Sequence, residues 1–363
     1  MFLTAACTTA GGHGGTSAAT ERTPSPTSGA QVSTSPGAPS SASASPVSIS
    51  AVGDIIMGST PQLPPDDGRH LFDGVAGQVT GAVALANTDQ TLTDNAAVSK
   101  CGPASSDCYA FRTPPAYAEW IHEAGFTVIN LANNHSHDFG DAGLRDTQAA
   151  LTAHGLLFTG MPGQITIQQA GPVRIAILGF APYAWAQSLL DIPAAQQLVR
   201  QAATQADLVL VTIHAGAEGA DKAHVRPGTE TFLGENRGDP MAFAHAVIDA
   251  GADAVLGSGP HVLRGMQWYR GRLIAYSLGN FLGYHTLSIS GPLGVGGILT
   301  VSLAPDGTWR GGHLTGTQMI APGLPQSDPS QQAVALVGEL SRTDFGACGV
   351  TFTPTGDLNS PTC

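Results

Sequence analysis

Residues Phe126 to Gly143 read FTVINLANNHSHDFGDAG, an apolar run that passes directly into a packet of nitrogen and oxygen ligands. The β-branched and aromatic residues from Phe126 to Leu131 predict a short buried strand, and Phe139 to His154 predict the helix that follows. Asn134 and His135 then fall on the turn between them. In an open α/β sheet, ligands bind in the crevice beyond the carboxyl ends of the strands. An imidazole beside a carboxamide at that place can hold a metal ion and a substrate oxygen.

The same arrangement recurs along the chain. Val47 to Val52 is followed by Gly53 and Asp54, and Ala82 to Ala86 leads into Asn87, Thr88 and Asp89. Asp207 to Ile213 ends at His214, and Asp253 to Leu256 runs into Gly257, Ser258, Gly259, Pro260 and His261. If these strands are neighbours, their carboxyl ends share one pocket rim, and a dinuclear metal site can be assembled there.

The composition bounds the alternatives. The chain has 363 residues, 42% hydrophobic and 12% charged, enough to bury the core of one large domain or two small ones. A formal net charge of −12 argues against nucleic acid as a partner, because phosphate binding needs clustered Lys and Arg. A polyanionic substrate would need a local cation. Leu3, Ala5, Ala6 and Cys7 resemble the small-residue run before a lipid-accepting cysteine, without the charged and apolar regions of a full secretory signal. Thr8 to Pro46 is rich in Gly, Ser, Thr, Ala and Pro and has too little apolar surface to offset its ordering entropy, so residues 1–46 read as a signal-like start and a flexible tether. The domain is expected over residues 47–345, with 346–363 as a C-terminal tail. Cys101 with Cys108 and Cys348 with Cys363 can pair as disulfides, leaving Cys7 free to carry lipid and pointing to an extracytoplasmic location, lipid-anchored or secreted.

From Val47 onward strands and helices alternate, as in a layered α/β fold. Helices are expected over Pro114 to Glu123, Ala194 to Gln205 and Met241 to Ala250. A strand is expected over Val173 to Leu178, and a hairpin over Val262 to Tyr269 and Leu273 to Ser277.

The ordered series Gly53-Asp54, LANTDQTLTD (Leu85 to Asp94), LANNHSHDFG (Leu131 to Gly140), IHAGAEG (Ile213 to Gly219), GSGPHVLRG (Gly257 to Gly265) and YSLGNF (Tyr276 to Phe281) resembles the CapA family of bacterial capsule and poly-γ-glutamate synthesis proteins. That resemblance implies a fold similar to calcineurin-like metallophosphoesterases, a layered α/β sandwich with a metal site at the carboxyl ends of the strands. It places metal ligands at Asp54, Asp89, Asn134, His135, His214 and His261, around one or two divalent ions (Mn, Fe or Zn). Such ions polarise a phosphoryl oxygen and generate a hydroxide nucleophile. Two departures bear on the ion count: Asp89 stands where the family commonly has Glu, and Ser258 where it commonly has His. Asp94 and Asn87 compete with Asp89 for its role.

Several residues join the candidate site. Asn134 and His135 are also candidate catalytic residues. Asp138 can orient an imidazole or cap the helix at Phe139, and Glu218 is a candidate proton shuttle. Arg112 and Arg264 are candidate anion clamps, since a guanidinium grips a phosphate or carboxylate in two places. Asn280 is a candidate substrate contact. No G-x-S-x-G elbow is present, so nucleophilic serine chemistry finds no support. The combined expectation is an exported CapA-like protein that performs metal-dependent phosphoester hydrolysis during envelope-polymer synthesis. Its implied partners are an anionic polymer or phosphoester substrate and a membrane polymer synthase. A non-catalytic polymer-binding assembly subunit and a metal-dependent γ-glutamyl hydrolase are the alternatives.

Overall fold

The ligand-bearing strands divide between two sheets. The computed structural model describes residues 45–102 and 108–363, so the signal-like start and almost all of the tether lie outside the described residues. In the first sheet the strands run in the order Leu324–Ser327, Trp309–Ile320, Val295–Leu303, Val47–Ile56, Val83–Thr88, Val128–Asn130 and Leu157–Thr159, and Asn280–Gly283 pairs with the end of Val47–Ile56. The second runs Met266–Tyr269, Arg272–Ala275, Ala254–Ser258, Leu208–His214, Val173–Phe180 and Thr166–Ala170.

Side chains alternate across each strand, and both faces of the central strands are covered. Ile49, Ala51, Val83, Leu85 and Val128 of the first sheet share one core with Ile175, Ile177, Leu208, Leu210 and Leu256 of the second. The alternate residues Val52, Ala84, Ala86 and Ile129 pack with Ile121, Leu144 and Leu151 of the helices Ala118–Glu123 and Gly140–Ala153. On the far side Leu178, Val209, Val211 and Val255 pack with Val199 and Phe243 of the helices Ile192–Ala203 and Pro240–Asp249. The result is a helix, sheet, sheet, helix sandwich, the layered α/β architecture expected. Each fully buried Leu, Ile or Val contributes roughly 1.5–3 kcal/mol relative to exposure, so the three apolar layers together hold the sandwich closed.

Element boundaries shift by a few residues from expectation, for local reasons. The helix expected from Pro114 opens as a 3-10 turn, Pro115–Tyr117, before Ala118–Glu123. Asp191 and Asp239 accept hydrogen bonds from Ala194 N and Ala242 N at the starts of the helices Ile192–Ala203 and Pro240–Asp249, satisfying donors that a helix start leaves open. Residues 346–363, expected as a tail, belong to the folded body. Val350 and Leu358 join the inter-sheet core, Cys348 is bonded to Cys363, and Gly271 N donates to Cys363 O. Cys101 and Cys108 form the second disulfide. No helix among the described residues is long and apolar enough to cross a membrane.

Gly53 allows the first strand to approach the 277–280 turn. Asp54 N donates to Gly279 O at 3.0 Å, and a Cβ on residue 53 would lie 1.8 Å from that same oxygen. Gly53→Ala should therefore force the backbone apart and cost about 3 kcal/mol, at the upper end of overpacking penalties, read as a lowered urea midpoint. An unchanged midpoint would refute this contact.

Candidate metal centre

A chain of carboxamides carries order from the backbone to Asp54. Asn133 Oδ1 accepts from His135 N (3.0 Å) and Ser136 N (2.7 Å), and Asn130 Oδ1 accepts from Ala132 N (3.1 Å). These main-chain donors fix both amides, so each presents its Nδ2 to Asn87 Oδ1, at 3.1 and 2.9 Å. Asn87 must then turn its own Nδ2 toward Asp54 Oδ1 (2.7 Å) and His214 Nδ1 (3.1 Å). Parallel pairing supplies the register: Asp54 is opposite Asn87, and Asn87 opposite Asn130.

Asp54 lies fully buried between the sheets. His214 Nδ1 is 3.6 Å from its Oδ1 and His261 Nδ1 is 3.1 Å from its Oδ2, while Gly259 N donates to Oδ2 at 3.3 Å. Burial raises the carboxyl's pKa, but the hydrogen bonds and positive charge of His214 and His261 outweigh it and hold Asp54 well below the usual carboxylate range. Burial alone would lower His261, yet the bond to Asp54, with Glu218 and Asp89 nearby, pushes it up to about 10. His261 has φ +60°, an uncommon backbone state for a non-glycine residue that is often found at functional sites. Ser258 is paired in register with His214, and its hydroxyl lies 3.4 Å from His214 Nδ1.

Asp54, Asp89 and His214 each offer a ligand atom within 4.8 Å of the others. His261 Nε2 faces the same group, 3.8 Å from Asp89 Oδ2 and 3.7 Å from Glu218 Oε2. Glu218 also lines an adjoining cleft of about 220 Å³ with Lys100, Asn134, His135 and Arg237. There His135 Nδ1 is 2.8 Å from Asp138 Oδ2. Asp138 also accepts from Phe111 N (2.7 Å) and pairs with Lys100 Nζ (2.5 Å). The carboxylate thus orients the ring. It does not cap the following helix, whose start has no side-chain cap.

The buried side-chain atoms that lack a hydrogen-bond partner test whether these residues fit a cation. Among the described residues they include both oxygens of Asp89, Asn134 Oδ1 and His214 Nε2. Unmade polar groups in a core are costly, and oxygen and imidazole nitrogen are donor atoms suited to a divalent metal. The remaining ones are Arg237 Nη2, the hydroxyls of Ser50, Thr88 and Thr286, and Asp138 Oδ1, which lies beside Lys100. The donor set fits a metal ion.

Three other candidates have different partners. Arg264 is buried and forked onto Glu230 at 2.8 and 2.7 Å, so its guanidinium is already neutralised and has no exposed face for an anion. Arg112 lies over the Phe139 ring, 5.6 Å from its centroid, and is not among the residues lining the cleft. Asn280, also buried, accepts from His261 Nδ1 (2.8 Å) and donates to Leu293 O (3.0 Å), which orients His261 and spends its amide. Asp94 is exposed where Asp89 is sealed. Sequence reasoning did not single out Asn133, Lys100 or Arg237. For Asn133 the signal was present in the doubled carboxamide of LANNH.

The Asp54–His261 pair makes stability depend on pH. Because His261 is raised, its contribution is complete below an ordinary imidazole value of 6.5 and is lost as pH rises through about 10. Metal-free protein should melt at progressively lower temperature across that interval, and His261→Ala should remove this part of the slope. Equal slopes in the two proteins would overturn the pairing.

The family model described as "Bacterial capsule synthesis protein PGA_cap" matches residues 48–285. Over 182 residues, covering 45% of this chain and 41% of that protein, the sequence is 36% identical to the capsule biosynthesis protein CapA of Bacillus anthracis. Over 179 residues, 45% of this chain and 44% of the relative, it is 31% identical to the PGA biosynthesis protein CapA of Bacillus subtilis (strain 168). The matches thus span less than half the length of these two relatives. Among solved structures it is similar to a 5'-nucleotidase precursor from Thermus thermophilus, with TM-score 0.42, 12% identity, and coverage of 80% of this chain and 58% of that one. The matched span begins in the strand that carries Asp54 and ends just beyond Asn280, so it encloses every residue of the centre, and the chain belongs to the bacterial capsule synthesis family PGA_cap.

Proposed function

We propose that this protein serves the synthesis of a capsule or poly-γ-glutamate-type envelope polymer and acts as a metal-dependent hydrolase of a phosphoester. The observation that carries the hydrolase reading is the coincidence of unpaired buried ligand atoms with the ligand cluster, namely both Asp89 oxygens and His214 Nε2. Asp54, Asp89, His214 and His261 would hold the cation, with Asn134 at its cleft side. When bound, such an ion polarises a phosphoryl oxygen and lowers the pKa of a water molecule.

The chain's own residues supply the rest. Asp138 holds His135 through Nδ1, leaving Nε2 as the nitrogen that can pass a proton to a departing oxygen. Asn280 holds His261 with Nδ1 toward Asp54 and Nε2 toward the cluster. Glu218 keeps one oxygen on Arg237 and turns the other toward His261, where it can accept a proton. Two disulfides support an oxidising, extracytoplasmic location, in which a membrane polymer synthase is the fitting partner. Ser258 favours a second reading, a polymer-binding assembly subunit, because a hydroxyl stands where an imidazole would strengthen a second metal position.

Elemental analysis after reconstitution with Mn or Zn should find metal bound to the protein and lost in Asp89→Asn. His135→Ala should retain the metal but lower hydrolysis of a chromogenic phosphodiester by about 10²–10⁴-fold, the usual worth of a general acid. Protein that takes up no metal, or that hydrolyses nothing when loaded, would favour the assembly reading, and hydrolysis indifferent to His135→Ala would remove His135 as the acid. Ser258→His should raise the metal content above that of the parent, and an unchanged content would count against the hydroxyl as the limiting ligand.

A further inference from the structure

The hydrogen bonds of Arg237 leave a remainder. A guanidinium carries five N–H donors and no acceptor. Here Nε donates to Gly216 O at 3.0 Å, and Nη1 donates to Tyr183 Oη and Glu218 Oε1, both at 2.7 Å. Nη2 is buried and has no partner, although the whole residue is sealed from solvent and belongs to the wall of the cleft with Lys100, Asn134 and His135. Arg237 stands at the base of the hairpin formed by Thr231–Phe232 and Glu235–Asn236. Its N donates to Glu230 O (2.9 Å) and its O accepts from Gly216 N (3.0 Å). Gly216 lies two residues beyond His214, so the backbone of Arg237 is tied to the strand end that carries a metal-ligand candidate.

We infer that Arg237 Nη2 is the anion-binding half of the site and receives a phosphoryl or carboxyl oxygen of the substrate beside the carboxylate–imidazole cluster. This rests on the reading of that cluster as a hydrolase centre. The polarity of the unpaired atoms supports it: both Asp89 oxygens and Asn134 Oδ1 are acceptors, suited to a cation, whereas Nη2 can only donate, suited to an oxyanion. A charged donor held by fixed partners binds such an oxygen through a short, strong hydrogen bond. Of the three arginines compared, Arg264 is forked onto Glu230 and Arg112 lies against Phe139. Of the three, Arg237 alone both lines the cleft and keeps an unpaired donor.

The test is calorimetric titration of the full chain, metal-loaded and metal-free, with inorganic phosphate and with glutarate. Loaded wild type should bind at least one probe, and Arg237→Gln should weaken that binding by about tenfold or more at unchanged metal content. Arg237→Lys keeps the charge but loses the second arm of the fork, so it should show a similar loss and carries the test if the glutamine variant does not fold. A loss confined to phosphate identifies a phosphoester substrate, and a loss confined to glutarate identifies a glutamyl carboxylate. Affinities within about twofold of wild type at full metal content, or no binding of either probe to wild type, would overturn the inference, the former with the metal reading intact. If wild type takes up no metal, the hydrolase reading fails, and the metal-free titration decides: Arg237-dependent binding sustains the anion site, and its absence overturns it.

Discussion

A carboxylate buried between two sheets is the constraint on which the rest of this structure depends. Removing an isolated charge from water costs several kcal/mol even after relaxation, and Asp54 is fully buried. Its compensation comes from both sides of the seam: Asn87 from the neighbouring strand, and His214, His261 and Gly259 N from the opposite sheet. The sheets therefore dock with their carboxyl ends together, because docking in another register would strand the charge. Close backbone approach follows from the same demand, with Gly53 against Gly279 and Gly257 against Tyr276 O.

Much of this was legible as sequence because an apolar run that stops at Asp, Asn or His states both a strand and what its end carries. Val47, Leu208 and Ala254 do begin such strands. Membership of separate sheets was not legible, since pairing is decided by partners far away in the chain. The same limit hid the division of labour in LANNH: Asn133 turns inward to Asn87 and Asn134 stays at the cleft, a distinction set by the turn and invisible in two identical letters. Arginine type was equally mute. Whether a guanidinium is spent depends on what faces it, and Glu230 facing Arg264 lies 34 positions upstream. Burial separated Asp89 from Asp94 where spacing could not.

The raised His261 also bears on how the fold tolerates a cluster of acids without a cation. Asp54, Asp89 and Glu218 all lie around its ring, and together they hold a proton on it until about pH 10. A protonated imidazole supplies positive charge at the position where a metal ion would supply it. Metal binding would then be an exchange, because a coordinating imidazole must give up its proton. Binding a cation through His261 would then include the cost of removing that proton. Asn280 matters to that exchange: by holding Nδ1 toward Asp54, it makes Nε2, the nitrogen facing Asp89, the one from which the proton leaves. The ring then offers its freed lone pair toward the cluster without rotating. An ion pair that closes the sheets and a ligand set suited to a cation are in this sense two protonation states of the same buried seam.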